Sequence, residues 1–163
     1  MAKYEIRQFT RERLEEVRQR WRGIAGDDEF DIEFMSLFEW CETHIEPSEG
    51  DSQAWELYNT DTSGCDAIID MVDSKKGTLS KLLKLFLSPV FWDVESKRDQ
   101  VISLYIDAFV EVIKNGAIKG AQDVKLYGRN DLMLSLLRSI HAHWHVPGTT
   151  ASFQGRFLTI SLA

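Results

Sequence analysis

Cysteine and proline are scarce in this chain, at two and three of 163 residues. Cys41 and Cys65 have neither the close spacing of a metal or redox motif nor enough companions for a disulfide framework, which excludes a disulfide-stapled scaffold. Two isolated cysteines read as buried thiols in a reducing compartment, the cytoplasm, packing as small hydrophobes. Long apolar runs are lacking too. The longest, LLKLFLSPVFW, carries Lys84 and falls far short of the roughly 20 residues of a membrane span, so no membrane association is expected. MAKYEIRQF enters a patterned segment directly, without the apolar region of a signal peptide. Basic charge is in deficit, with a net charge of −7, which disfavours nucleic-acid binding by phosphate neutralisation. No repeat, low-complexity tract or linker breaks the chain. What remains, 44% hydrophobic and 28% charged, is the composition of a soluble globular protein long enough to bury a substantial core, read as one domain over residues 1–163.

Charge is unevenly spread. Residues 3–22 are rich in arginine, whereas residues 27–51 hold ten carboxylates and no Lys or Arg. Such a run is either a solvated acidic face or a docking face for a basic partner. Trp40 lies inside it and Trp92 stands in a later turn. Aromatic anchors beside charged rims are common at interfaces, so Trp40, Glu39, Glu42 and Trp92 are the candidate interaction residues.

Hydrophobic periodicity lays out the elements. Lys3 to Phe9 alternates as a short strand. Thr10 stands as a helix N-cap, Leu14, Val17, Trp21, Ile24 and Ala25 form a buried stripe, and Gly26 ends the helix. A second helix is expected with Ile32, Met35, Leu37, Phe38 and Cys41 inward. Gln53–Asn59, Cys65–Val72 and Thr78–Ser88 read as a meander joined by Thr60–Gly64 and Asp73–Gly77, both rich in turn residues. Pro89 pushes Ser88 toward an extended backbone. The longest helical pattern follows, with Val101, Leu104, Tyr105, Ala108, Phe109, Val112 and Ile113 on one stripe. A strand at Asp123–Tyr127, a helix capped by Asn130 or Asp131, and a terminal strand or hairpin at Phe153–Leu162 complete the chain. The fold class is α+β, a mixed, mostly antiparallel sheet flanked by about four helices.

This order, with IRQFTRERLEEV near the start and VKLYGRNDLMLSLL near the end, resembles the GNAT superfamily of acyl-CoA-dependent N-acyltransferases over nearly the whole chain. The resemblance implies a central strand–turn–helix whose turn cradles the cofactor pyrophosphate through an Arg/Gln-x-x-Gly-x-Gly/Ala signature. Glycine serves there because backbone must approach the phosphates closely. The corresponding stretch, Ser88 to Gln100, has no glycine. It carries bulky Phe91 and Trp92, and acidic Asp93, Glu95 and Asp99 that would repel phosphate, against Lys97 and Arg98. If acetyl-CoA binds, Val94, Glu95, Ser96, Lys97 and Arg98 are the residues to hold it; the departure from the signature argues that no cofactor is used. The family's general base and acid, a carboxylate on a central strand and a Tyr after the penultimate one, have as their candidates here Glu56, Asp70 (with Asp66 beside it) and Tyr127.

His141 and His145 stand at i and i+4, the spacing of a helical two-histidine metal site. They lack an intervening glutamate and a third ligand, so no metal is expected and helix-end histidines are the simpler reading. Two functions follow. One is a diverged, non-catalytic GNAT-like domain acting as an acidic protein-interaction or assembly module; phage and mobile-element accessory proteins, often short and acidic, are one setting for it. The other is an acyl-CoA-dependent N-acetyltransferase with an atypical turn. Exposed strand edges also allow a homodimer by strand pairing.

Overall fold

A computed structural model describes residues 3–48, 50–93 and 95–162. β1 (Tyr4–Gln8) leads through the Thr10 cap into α1 (Arg11–Ala25). The Thr10 hydroxyl accepts the Arg13 amide at 3.0 Å, satisfying one of the N–H groups that every helix start leaves unpaired. Gly26, at φ 88°, ends α1 and opens the acidic segment.

That segment is not one helix but two, α2 (Asp27–Glu33) and α3 (Met35–Glu42). This raises the expected four helices to five. The break falls at Phe34, whose φ of −124° leaves the helical range. Its inward stripe is Phe30, Phe34, Leu37, Phe38 and Cys41, all buried, while Ile32 is 75% exposed and Met35 also faces out. The expected inward roles of Ile32 and Met35 therefore fail. Four phenylalanine and tryptophan rings win the stripe by area: Trp21 packs edge-on against Phe34 and Phe38 at 5.1 and 5.5 Å, and Phe30 stacks on Phe38. Ile24, also expected inside, is exposed at the end of α1.

β2 (Ser52–Asn59), β3 (Cys65–Ser74) and β4 (Leu79–Leu87) form the antiparallel meander. β2 is buried along most of its length because helices cover both faces of the sheet. A single 3-10 turn at Pro89–Phe91 leads toward α4 (Arg98–Ile118), followed by β5 (Asp123–Tyr127), α5 (Asp131–Ala142), β6 (Thr150–Gln154) and β7 (Phe157–Ser161). Asn130, not Asp131, caps α5 by accepting the Met133 amide at 2.8 Å. The seven strands lie in the order β1-β2-β3-β4-β5-β7-β6. α4 and α5 cover one face over a core centred on Leu57, Ile69, Leu104, Phe109 and Leu126, and α1 to α3 cover the other over Trp21, Phe38, Ala54 and Ile68. Both cysteines are buried free thiols.

The one parallel pairing among the described residues, β4 with β5, shapes the centre. β4 and β5 are in register only from Leu79–Asp123 to Leu82–Leu126. There the β3–β4 register slips, Asp70 facing Lys84 and Met71 facing Leu82, so Leu83 is an extra residue in β4. Such a bulge bends its strand. Beyond it β4 runs on to Leu87 without β5, and the sheet opens between them.

Candidate functional site

The opening between β4 and β5 leads to the segment from Ser88 to Lys97. Ser88 is extended at φ −55° and ψ 147°, as Pro89 requires, and its hydroxyl accepts the Val90 amide at 3.3 Å. Phe91 is buried in the α4-side core. Trp92, 44% exposed, turns the other way and stacks on Phe34 at 5.6 Å with the ring planes 6° apart. The two adjacent rings are thus held on opposite faces of the sheet, which anchors the start of the turn from both sides.

Two amides of the turn, those of Ser96 and Lys97, are spent within it, while α4 opens from Lys97 without a side-chain cap. The Asp93 carboxylate accepts the Ser96 hydroxyl at 2.7 Å and the Ser96 amide at 3.4 Å, and the Asp93 carbonyl accepts the Lys97 amide at 3.1 Å. These bonds from Ser96 hold the Asp93 carboxyl below its ordinary range. Lys97 donates its ammonium to the Val90 carbonyl at 2.6 Å. Of the residues expected to hold a cofactor, Glu95, Ser96 and Arg98 are exposed and Lys97 is half-buried; Val94 lies outside the described residues. A carboxylate of the chain itself therefore stands where an anion would meet the Ser96 amide. The Asp-x-x-Ser spacing was a readable signal of that closure.

The structure does not bring the proton-transfer candidates together. Glu56, 2% exposed, is gripped by Arg13, whose Nε lies 3.0 Å from Oε1 and whose Nη2 lies 3.1 Å from Oε2. Tyr127 ends β5 with its ring against Phe157 at 4.9 Å. Two strands separate Glu56 from Tyr127, so at an inter-strand spacing of about 4.8 Å they stand about 14 Å apart across the sheet. Asp70 on β3 is one strand nearer. Arg129, just after β5, reaches over the gap and places its guanidinium 5.5 Å from the Phe86 ring of β4.

Asp70 is the unusual carboxylate. It is 5% exposed, and its Oδ1 has no hydrogen-bond partner among the described residues. Burial pushes its carboxyl above the ordinary 3.8, against the lowering pull of the Ser52 hydroxyl, Lys84 and His44. Asp66, on the opposite sheet face, is by contrast partnered: its Oδ2 accepts the Tyr4 hydroxyl at 2.7 Å and Asn59 Nδ2 at 2.9 Å. This trio lies beside Lys97, Asp99, Ser103 and Asp107 at a cavity of about 600 Å³ under the start of α4. No local pattern in the sequence marks that cavity, because Tyr4 and Asp66 lie 62 residues apart.

The acidic segment is partly neutralised from within. Arg18 pairs with Glu42, and Arg22 reaches Asp27 at 3.4 Å and Asp31 at 3.2 Å. Glu39 is exposed, and Trp40 is half-buried with its ring stacked on His44 at 4.8 Å. At the far end of the chain α5 stops at Ala142, so His145 lies beyond the helix and the expected i, i+4 pairing with His141 is not made. His141 instead packs edge-on against Phe153, and His143 Nδ1 meets the Ser139 carbonyl at 2.9 Å. No group of three metal-ligating side chains occurs among the described residues.

No protein-family model matches the chain, and no curated protein matches it in sequence. Solved structures do. An aminoglycoside 6'-acetyltransferase type Ii is 14% identical at a TM-score of 0.52, with 97% of each chain covered. A protein assigned as a ribosomal-protein-serine acetyltransferase from Vibrio cholerae is 9% identical at 0.51, covering 99% of this chain and 93% of that one. The chain has the GNAT fold. A GNAT-family acetyltransferase from Brucella melitensis solved with acetyl-CoA aligns over 100% of this chain and 90% of its own at 12% identity and a TM-score of 0.44. At these identities the likeness to the GNAT structures is one of architecture, and the chemistry of this chain rests on its own residues. No helix among the described residues is long and apolar enough to cross a membrane.

Proposed function

We propose that this chain is a GNAT-fold binding domain that works by contact with a protein partner rather than by acyl transfer. The observation that carries the reading is the closed turn. The Asp93 carboxylate already occupies the Ser96 amide and hydroxyl, and a pyrophosphate brought there would meet like charge from Asp93 and Glu95. Opening the turn would also free Lys97 from the Val90 carbonyl and disturb the Trp92–Phe34 stack.

A contact surface lies on the outer side of the same turn. Val90 and Trp92 are exposed, and Val90 shares a surface hollow with the exposed Ile24. Glu33 and Glu39 are exposed on the neighbouring helices. An apolar centre beside acidic groups fits a partner that offers an apolar anchor within a basic rim.

The test is a thermal-shift series with CoA and acetyl-CoA. A ligand present at 100 times its dissociation constant stabilises the folded state by about 2.7 kcal/mol. No shift is expected at millimolar concentrations, and a rise of several degrees would sink the reading. The opening beyond Leu82 favours one alternative, an N-acetyltransferase that binds acetyl-CoA along the separated strands and bypasses the turn. A thermal shift that survives Asp93→Arg and is lost when Arg129 is removed is the outcome that reading requires.

A further inference from the structure

Apart from the turn, the sheet face under α2 and α3 holds a pocket of about 330 Å³ whose charges have not been matched by the fold. Its floor is Asp70, nine-tenths buried and with Oδ1 unpartnered among the described residues. Such an atom is costly, because a buried carboxylate oxygen without a donor loses its water and gains nothing in return. Lys84 also lines the pocket and is the cross-strand register partner of Asp70. Two opposite charges so placed ordinarily pair. Here no ion pair between them forms within 4 Å, and Lys84 stands exposed. Glu33 from α2 adds a second carboxylate to the lining, and Trp40 and Phe86 supply aromatic walls beside Leu37.

We propose that this pocket binds a free α-amino acid with an apolar side chain. The α-ammonium would be held by Asp70 with Glu33 near it, the carboxylate by Lys84, and the side chain by Trp40, Phe86 and Leu37. A plain cation would satisfy Asp70 but meet Lys84 as a like charge, and a plain anion would satisfy Lys84 but face two carboxylates. Only a ligand with both charges a few atoms apart answers both groups. The aromatic walls favour an apolar side chain, and a cation beside Trp40 gains further from the ring face. The volume lies within the usual range of small-molecule sites, from about 300 Å³ upward. This site shares none of the residues of the Ser88–Lys97 turn, so it stands whether or not acyl-CoA binds.

Isothermal titration of the full chain with L-leucine and L-phenylalanine tests it, with isoamylamine and 4-methylpentanoate as leucine analogues lacking the carboxylate and the ammonium. At least one of the two amino acids is expected to bind with a sub-millimolar Kd. Both analogues, and both the Asp70→Asn and Lys84→Gln variants, are expected to weaken binding at least tenfold. No heat from either amino acid at millimolar concentration overturns the proposal. So does amine binding as tight as leucine binding, or leucine binding indifferent to Lys84→Gln, since either outcome makes the site one for simple cations. Circular dichroism of each variant separates loss of binding from loss of fold.

Discussion

Two carboxylates on one sheet face have opposite fates, and partners decide which. Glu56 is buried with a bidentate guanidinium, and Asp70 is buried two positions along the neighbouring strand without one. Removing one member of a buried pair leaves a charge out of water with nothing to answer it, a loss of about 3–5 kcal/mol. Arg13→Met is therefore expected to lower the free energy of urea unfolding by about 3 kcal/mol, because Arg13 itself keeps some contact with water. The double change Arg13→Met with Glu56→Leu is expected to recover much of it. A single variant as stable as the parent would show that water reaches Glu56. Asp70 predicts the reverse. Its folded carboxyl titrates above the ordinary 3.8, so the folded state holds the proton more tightly than the unfolded chain. Its contribution to stability thus falls as pH rises from 3.8 through the folded value. Asp70→Asn removes that loss. The variant is expected to match or trail the parent near pH 4 and to exceed it at pH 7, read from chemical denaturation at each pH; parallel curves would refute the assignment.

At the scale of elements, the sequence was legible where local rules act alone. α1 shows its cap, stripe and glycine stop, and α4 shows a long uninterrupted stripe; both appear where expected. The acidic helix was misread because Ile32 and Met35 fit a helical period nearly as well as Phe30 and Phe34 do. Tertiary packing against Trp21 chose between them, and no local signal carries that choice. β2, β3 and β4 appear as the meander the alternation and turn residues predict, within a residue or two at their ends. Glu56 looked available because its partner Arg13 lies 43 residues away. The Asp93–Ser96 closure, by contrast, is local in sequence and is legible in the Asp-x-x-Ser spacing. Close packing between elements gives a further test. Gly116 of α4 is buried, and a Cβ there would run into Val124 Cγ2 of β5. Alanine is the better helix former by about 1 kcal/mol. The clash acts against a packed branched side chain, where overpacking costs about 1–3 kcal/mol. Gly116→Ala is thus expected to lower Tm, and Gly116→Ala with Val124→Ala to recover part of the loss. A higher Tm for the single variant would mean that α4 moves freely over β5.

For the molecule as a whole, the sheet has two edges of unequal character. β1, at one end, carries Glu5 and Arg7, exposed or nearly so and paired at 2.7 Å, and α4 and the Arg7–Tyr58 stack crowd its surroundings. β6, at the other, reads Thr150-Ala151-Ser152-Phe153-Gln154 and contains no charge. β7, the last strand, is interior, since it pairs with both β5 and β6. Unpaired edges free of charge, proline and bulges are templates for a further strand, and charged side chains are a common protection. Self-association of this chain is therefore expected to run through β6 and to join two sheets edge to edge. Sedimentation equilibrium across micromolar to sub-millimolar concentrations reads it directly as a rise in mass toward twice the monomer. Ser152→Lys, exposed on β6, is expected to return the mass to that of a monomer by setting two like charges near one another across the new pairing. Gln8→Lys, at the exposed end of β1, is expected to leave it unchanged. A dimer insensitive to Ser152→Lys would place the contact elsewhere, with the exposed Ile24, Val90 and Trp92 the next surface to alter. A monomer at every concentration would mean that the short five-residue edge is protection enough.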